Sequence, residues 1–174
     1  MIEKNIEHAL KTIHVLWKEG TIEKYAIGGA FATLFYMEPI QTYDIDVFVF
    51  LKPTPAGLFV LSPIYDRLVK DMGYTTHKEY ILIEGIPVQF LPAYGELIVE
   101  AIKKAVWKKL GRVRIRVFRP EYLIAIMLQT GRLKDRERLA LFLEEAKFDK
   151  RLLNSILKSY DLRKKWQKFV SGKS

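Results

Sequence analysis

The chain has no cysteine in its 174 residues, which excludes thiolate zinc sites, cysteine nucleophiles and a secreted disulfide scaffold together. No apolar run approaches the ~20 residues of a membrane span, and Glu3 and Glu7 in the first turns are unlike a signal peptide. These absences set the expectation of a cytoplasmic protein with no membrane partner. Histidine is scarce, and His8, His14 and His77 do not share the His-X-X-X-His spacing of a zinc site. The chain contains neither Gly-X-Ser-X-Gly nor a Lys-bearing phosphate loop, so hydrolase and ATPase readings lack support. Trp17, Trp107 and Trp166 are dispersed along the sequence and read as packing residues rather than a base-stacking platform.

What is present is enough for a stable core. At 49% apolar residues, a chain of this length hides roughly 70% of its unfolded surface without any staple. Ile2, Ile6, Ala9, Leu10, Ile13, Leu16 and Trp17 recur at helical spacing, and Gly20 stops that helix. Tyr25 to Ile27 reads as a strand, Gly28-Gly29 as a turn, Ala30 to Met37 as a helix, and Asp44 to Leu51 as a strand with both faces partly buried. Past a loop rich in proline, Ser62 is the expected cap of a helix with Pro63 at its first position, ending near Gly73. Tyr80 to Glu84 and Ile86 to Leu91 predict a hairpin turning at Glu84-Gly85, a register that sets Tyr80 opposite Gln89. A helix over Glu96 to Ala105 and a second hairpin around Gly111 follow. From Pro120 the pattern is helical, in four segments. The expected architecture is α+β: a mixed sheet flanked by helices over residues 1–119, then a helical region over 120–174 packed on it as one compact unit.

Charge divides along the same line. Residues 1–91 carry 8 Lys and Arg against 11 Asp and Glu, while residues 92–174 carry 21 against 9, so the whole formal excess of +9 is C-terminal. Solvated helix faces account for such a distribution, and so does a phosphate-holding flank beside an acidic half. Arg112, Arg114 and Arg116 alternate with Val113, Ile115 and Val117, giving one basic strand face that could grip RNA or simply meet solvent.

Asp44 and Asp46 leave the same face of one strand about 6.6 Å apart along it, since each residue rises ~3.3 Å. Two such carboxylates repel in a poorly hydrated site unless a cation joins them, and Mg2+ is the natural one because it prefers oxygen ligands and arrives with phosphates. Alone, the pair would serve equally as caps or ion pairs at a strand end. Upstream, Gly28-Gly29 joins a strand to a helix N-terminus, where backbone N–H groups and the helix dipole suit an anion.

The stretches Ala26-Ile27-Gly28-Gly29-Ala30-Phe31-Ala32 and Thr42-Tyr43-Asp44-Ile45-Asp46-Val47-Phe48-Val49 resemble the nucleotidyltransferases of the DNA polymerase beta superfamily. Pro120 to Ala125 and Gly131 to Arg136 look like the helical segment of small stand-alone prokaryotic members, with a looser likeness to toxin-type enzymes of abortive-infection systems. The resemblance implies that Gly28 and Gly29 hold a triphosphate, that Asp44 and Asp46 are catalytic and ligate Mg2+ or Mn2+, and that a nucleoside monophosphate passes to an acceptor hydroxyl on protein, RNA or a small molecule. Thr42 stands where members often carry Thr and would orient a phosphate or carboxylate, or simply begin a strand. Arg132 and Lys134 would reach phosphate oxygens across the cleft.

One position departs from the pattern. Active members usually carry a third carboxylate on a later strand, and here Gln89 takes its place. An amide neither accepts the acceptor's proton nor offsets a second cation. The alternative is therefore a catalytically impaired nucleotide-binding module, part of a regulatory or toxin-antitoxin pair. Met127 also stands where toxin-type relatives often have Lys.

Overall fold

A computed structural model describes residues 2–38, 42, 44–51 and 61–172. The elements follow in the order α1 (Ile2–Lys18), β1 (Lys24–Ile27), α2 (Gly29–Thr33), β2 (Ile45–Phe50), α3 (Ser62–Tyr65), a π-helical stretch (Asp66–Asp71), β3 (Thr75–His77), β4 (Tyr80–Ile83), β5 (Ile86–Pro92), α4 (Glu96–Lys103), β6 (Val106–Leu110), β7 (Val113–Val117), α5 (Pro120–Thr130), α6 (Leu133–Glu145), α7 (Lys150–Ser159) and α8 (Arg163–Val170). Among the described residues the strands form one mixed sheet in the order β3-β4-β5-β2-β1-β7-β6. Mixed sheet first and helices last is the α+β architecture that the hydrophobic periods predict. Among the described residues no helix is long and apolar enough to cross a membrane.

The middle of the sheet places the acidic pair. β2 alternates because Ile45, Val47 and Val49 are buried while Asp46, Phe48 and Phe50 on the opposite face are only partly so. It runs antiparallel to β1, with Ile27 facing Val47, and parallel to β5, with Asp46 facing Gln89. The β4–β5 hairpin pairs Ile83 with Ile86 and Ile81 with Val88, so two residues form its loop, as expected. Both are left-handed, Glu84 at φ 52° and Gly85 at φ 78°, the conformation that matches a tight hairpin to the twist of its strands. The same register brings Tyr80 level with Gln89.

Two helices depart from expectation. The helix predicted over Ala30 to Met37 ends at Thr33, whose hydroxyl donates to the Ala30 carbonyl at 2.7 Å. Beyond it Leu34 and Phe35 bond only three residues back, to Phe31 and Ala32, which tightens the chain into turns. Ser62 lies inside α3 instead of capping it. Leu61 has already turned into the helical region, and its carbonyl accepts from Ile64 and Tyr65. After Tyr65 the helix widens to the π form.

The C-terminal helices share the sheet's core. Buried residues of α5, including Tyr122, Leu123, Ile124 and Ala125, join one continuous cluster with Ile27, Val47 and Val117. Glu121, buried at the start of α5, accepts from the Asp149 amide at 2.7 Å and from Arg119 Nε at 3.2 Å. Asp149 in turn caps α7, accepting from the Arg151 and Leu152 amides. Gly131 ends α5 in a left-handed conformation, φ 63°, from which the chain turns directly into α6.

The tryptophans are not all dispersed in space. Trp17 and Trp107 meet edge to face at 5.6 Å beside His14 and Tyr25, because α1 packs across the sheet against β4, β5 and β7, next to β6. The basic strand face is likewise partly committed. Arg116 donates to the carbonyls of Ile102, Lys103 and Ala105 at the end of α4, and Arg114 lies over the Trp107 ring at 5.7 Å.

Candidate active site

The site is built where β1 ends. The Gly28 amide donates to the Asp46 carbonyl at 2.9 Å, tying the end of one strand to the start of the next. A Cβ on Gly28 would lie 2.5 Å from the Phe48 ring and 2.7 Å from that of Phe118, so only glycine admits the two aromatics there. Gly29 is left-handed at φ 58°, and a Cβ on it would lie 1.8 Å from Asp46 Oδ2. The Asp46 carboxylate therefore sits directly over the Gly29 α-carbon, at the first turn of α2. Each glycine has a packing reason, and the second one brings the acidic side chain onto the diglycine turn itself.

Asp44 precedes β2 by one residue and lies on the same face, partly buried. Tyr80 donates to Asp44 Oδ2 at a long 3.5 Å. Thr42 Oγ1 reaches the Asp44 carbonyl at 3.4 Å. Burial and the Asp44 charge push the Asp46 carboxyl up to about 6, against the opposing pull of Arg132 and Arg138. The pair is thus short of positive charge. Burial and the Asp44 charge also raise the Tyr80 hydroxyl.

Across from the aspartates, the start of α6 presents a second cluster. Asp135 is buried and accepts from Thr130 Oγ1 at 2.7 Å and from Arg132 Nε at 2.7 Å. Arg138 Nη1 lies 3.5 Å from its other oxygen. Burial alone would raise the Asp135 carboxyl, but the Arg132 and Thr130 hydrogen bonds outweigh it and hold the group below its ordinary value. Lys134, one position from Asp135 on α6, is exposed.

Gln89 sits beside Asp46 on β5, in the place expected of a third carboxylate. Among the described residues no group of three or more His, Asp or Glu side chains is arranged to hold a metal. Two carboxylates on one strand face suit a single hard cation that brings its own phosphates and waters. They do not supply a second metal's ligands.

Two residues of this region were not singled out as functional from the sequence. Tyr80 was legible, since the hairpin register already set it level with Gln89. Arg138 carried a weaker signal: it is three residues after Asp135, hence on the same helix face. The grooves elsewhere lie apart from the acidic pair. One of about 660 Å3 runs between α5, α6 and α8 past Leu133, Arg136 and Lys168.

The family described as "Nucleotidyl transferase of unknown function (DUF2204)" matches residues 5–166 of the chain. No curated protein matches it. Among solved structures, an antigenic nucleotidyltransferase-like protein from Paracoccidioides brasiliensis superposes with a TM-score of 0.60 at 12% identity, covering 94% of this chain and 93% of that one. The antibiotic-resistance factor ANT(2'')-Ia superposes with a TM-score of 0.52 at 14% identity, covering 95% of this chain and 98% of its own. At such identities these two neighbours establish the fold alone.

Proposed function

Because the chain belongs to this nucleotidyl transferase family, we propose that it moves a nucleoside monophosphate from a nucleoside triphosphate to an acceptor hydroxyl on protein, RNA or a small molecule. The observation that carries this reading is the Asp46 carboxylate lying over Gly29, with Asp44 on the same strand face. An acidic pair and a helix-opening glycine turn are thereby within one ligand's reach of each other.

Asp44 and Asp46 would hold one Mg2+, with Mn2+ as a substitute. The ion would offset charge on the phosphate oxygens during transfer. The N–H groups opening α2, beginning at Gly29, have no partner in the preceding turn and would receive triphosphate oxygens. Thr42 would steady the approach to Asp44, and Arg132 and Lys134 would contribute positive charge from α6. In the reaction the acceptor oxygen bonds to the α-phosphorus, the bond from that phosphorus to the bridging oxygen breaks, and pyrophosphate departs with its electrons. The hydroxyl proton would pass to water, since Asp44 and Asp46 would be engaged with the ion and the Gln89 amide cannot take it.

A second reading has a specific observation in its favour. With Gln89 facing Asp46, the pocket would bind nucleotide and turn over slowly or not at all. Incubation with α-labelled nucleoside triphosphates, Mg2+ and cell extract separates the two. Label transferred by the wild type and lost in Asp44→Asn/Asp46→Asn supports the transferase. Metal-dependent nucleotide binding with no transfer supports the binding module, and no nucleotide binding at all sinks both.

A further inference from the structure

We infer that this site works with a single divalent cation and that Arg138 supplies, as a guanidinium on the substrate phosphates, the positive charge that a second metal would bring. The inference rests on the transferase reading and says how the same site is completed.

Three observations lead to it. First, Gln89 occupies the position beside Asp46 where another carboxylate would be needed to hold a second ion. A neutral amide oxygen is a poor replacement, since it offsets none of the added charge. Second, Arg138 is held in place but not used up. Asp135 fixes one end of it through Nη1, while Nε is buried and donates to nothing among the described residues. A buried donor left unpaired is costly, a cost removed when an anionic oxygen arrives. Third, the placement is directional. On α6, Asp135, Leu139 and Phe142 are buried and Arg138 is half-buried, whereas Lys134 and Arg136 are exposed; Phe142, one turn beyond Arg138, meets Tyr36 just past α2 edge to face at 6.2 Å, which sets this face of the helix beside the Gly29 turn. The Arg138 charge acts on Asp46, yet among the described residues the two form no ion pair.

Asp135 is the positioning residue of this arrangement. Its carboxylate binds Thr130 at the end of α5 and two arginines from α6, so the turn at Gly131 and both guanidinium groups are fixed together. An arginine so pinned presents its remaining donors without the entropy cost of a free side chain. It also avoids closing on Asp46, which would neutralise the metal site.

The test counts ions and measures nucleotide affinity, so it needs no acceptor. Electron paramagnetic resonance titration with Mn2+, in the presence of a non-hydrolysable α,β-methylene nucleoside triphosphate, should give one bound ion per chain in the ternary complex. Gln89→Asp should raise that number to two. Arg138→Gln should weaken the analogue about 10- to 100-fold, the worth of a charge-assisted hydrogen bond, while leaving the ion count at one. Arg138→Lys should recover part of the affinity, and a melting curve on each variant shows that it is folded. Two ions on the wild type, or unchanged affinity in folded Arg138→Gln, would overturn this inference and leave the transferase reading standing. A wild-type chain that binds neither analogue nor Mn2+ would overturn both.

Discussion

Replacing Asp46 by Asn removes one charge and almost no volume, so it isolates the electrostatic cost of the acidic pair. Burial and Asp44 raise the Asp46 carboxyl from its ordinary 3.8 to about 6, and each unit is worth ~1.36 kcal/mol of difference between the two protonation states. The unfolded chain titrates near 4, so below that pH Asp46 is protonated in both states and costs nothing. Between about 4 and 6 the unfolded state ionises while the native state resists, and stability falls; above about 6 the full penalty, on the order of 3 kcal/mol, is in place. Asn cannot ionise and escapes it. The Asn variant without ligand should therefore be the more stable protein at pH 7.5, by up to about 3 kcal/mol, since the raised value already includes the attraction of Arg132 and Arg138, or roughly 6–12 °C for a chain of this size. Thermal melting in EDTA at pH 7.5 and pH 4.5 measures it. The gain should shrink at the lower pH, and added Mg2+ with a nucleoside triphosphate should raise the wild-type midpoint but not the variant's. An Asn variant equal to or weaker than the wild type at both pH values would refute the claim that the pair is short of positive charge.

Gly29→Ala should cost about 1–2 kcal/mol for a left-handed backbone with a side chain, and because the new Cβ would lie 1.8 Å from Asp46 Oδ2, Mn2+ affinity should fall by more than the melting temperature explains. Asp135→Asn should destabilise the fold by about 1–3 kcal/mol at pH 7; since that carboxyl is held below its ordinary value, the difference between variant and wild type should fade as acid protonates it, which melting at pH 3 would reveal. Arg116→Met should lower stability by a similar amount by uncapping α4 and leave any RNA retention unchanged, as gel shift would show. If the C-terminal positive charge does bind RNA, that affinity should fall steeply with salt and ignore Asp44→Asn/Asp46→Asn.

What the sequence made legible was what depends on neighbours in the chain. The alternation of Ile45, Val47 and Val49 fixed β2 and the shared face of its aspartates, and a two-residue loop containing Gly85 fixed the β4–β5 register and hence the company of Tyr80 and Gln89. Less legible was what depends on partners far along the chain. At the end of α2 the backbone bonds of Leu34, Phe35 and Tyr36 tighten to three residues back, which no periodicity records. The meeting of Trp17 with Trp107 follows from where α1 crosses the sheet. Arg132 and Lys134 look equivalent as charges in a string of letters, and both are exposed; the buried carboxylate of Asp135 separates them, pinning the first and bringing in Arg138.

That last distinction bears on why the acidic pair stays open at all. A chain with an excess of +9 has guanidinium groups to spare, and one closed on Asp46 would relieve the penalty that burial and Asp44 impose. Among the described residues no arginine or lysine makes that ion pair; the two nearest in effect, Arg132 and Arg138, are bound to Asp135 instead. Asp135 thus holds positive charge close enough to lower the cost of the pair and too firmly to cancel it. Freed of Asp135, the arginines should turn to Asp46, so Asp135→Asn should lose Mn2+ affinity even under conditions where it is fully folded. A folded Asp135→Asn protein with undiminished Mn2+ affinity would mean that the aspartates stay apart from the arginines for some other reason.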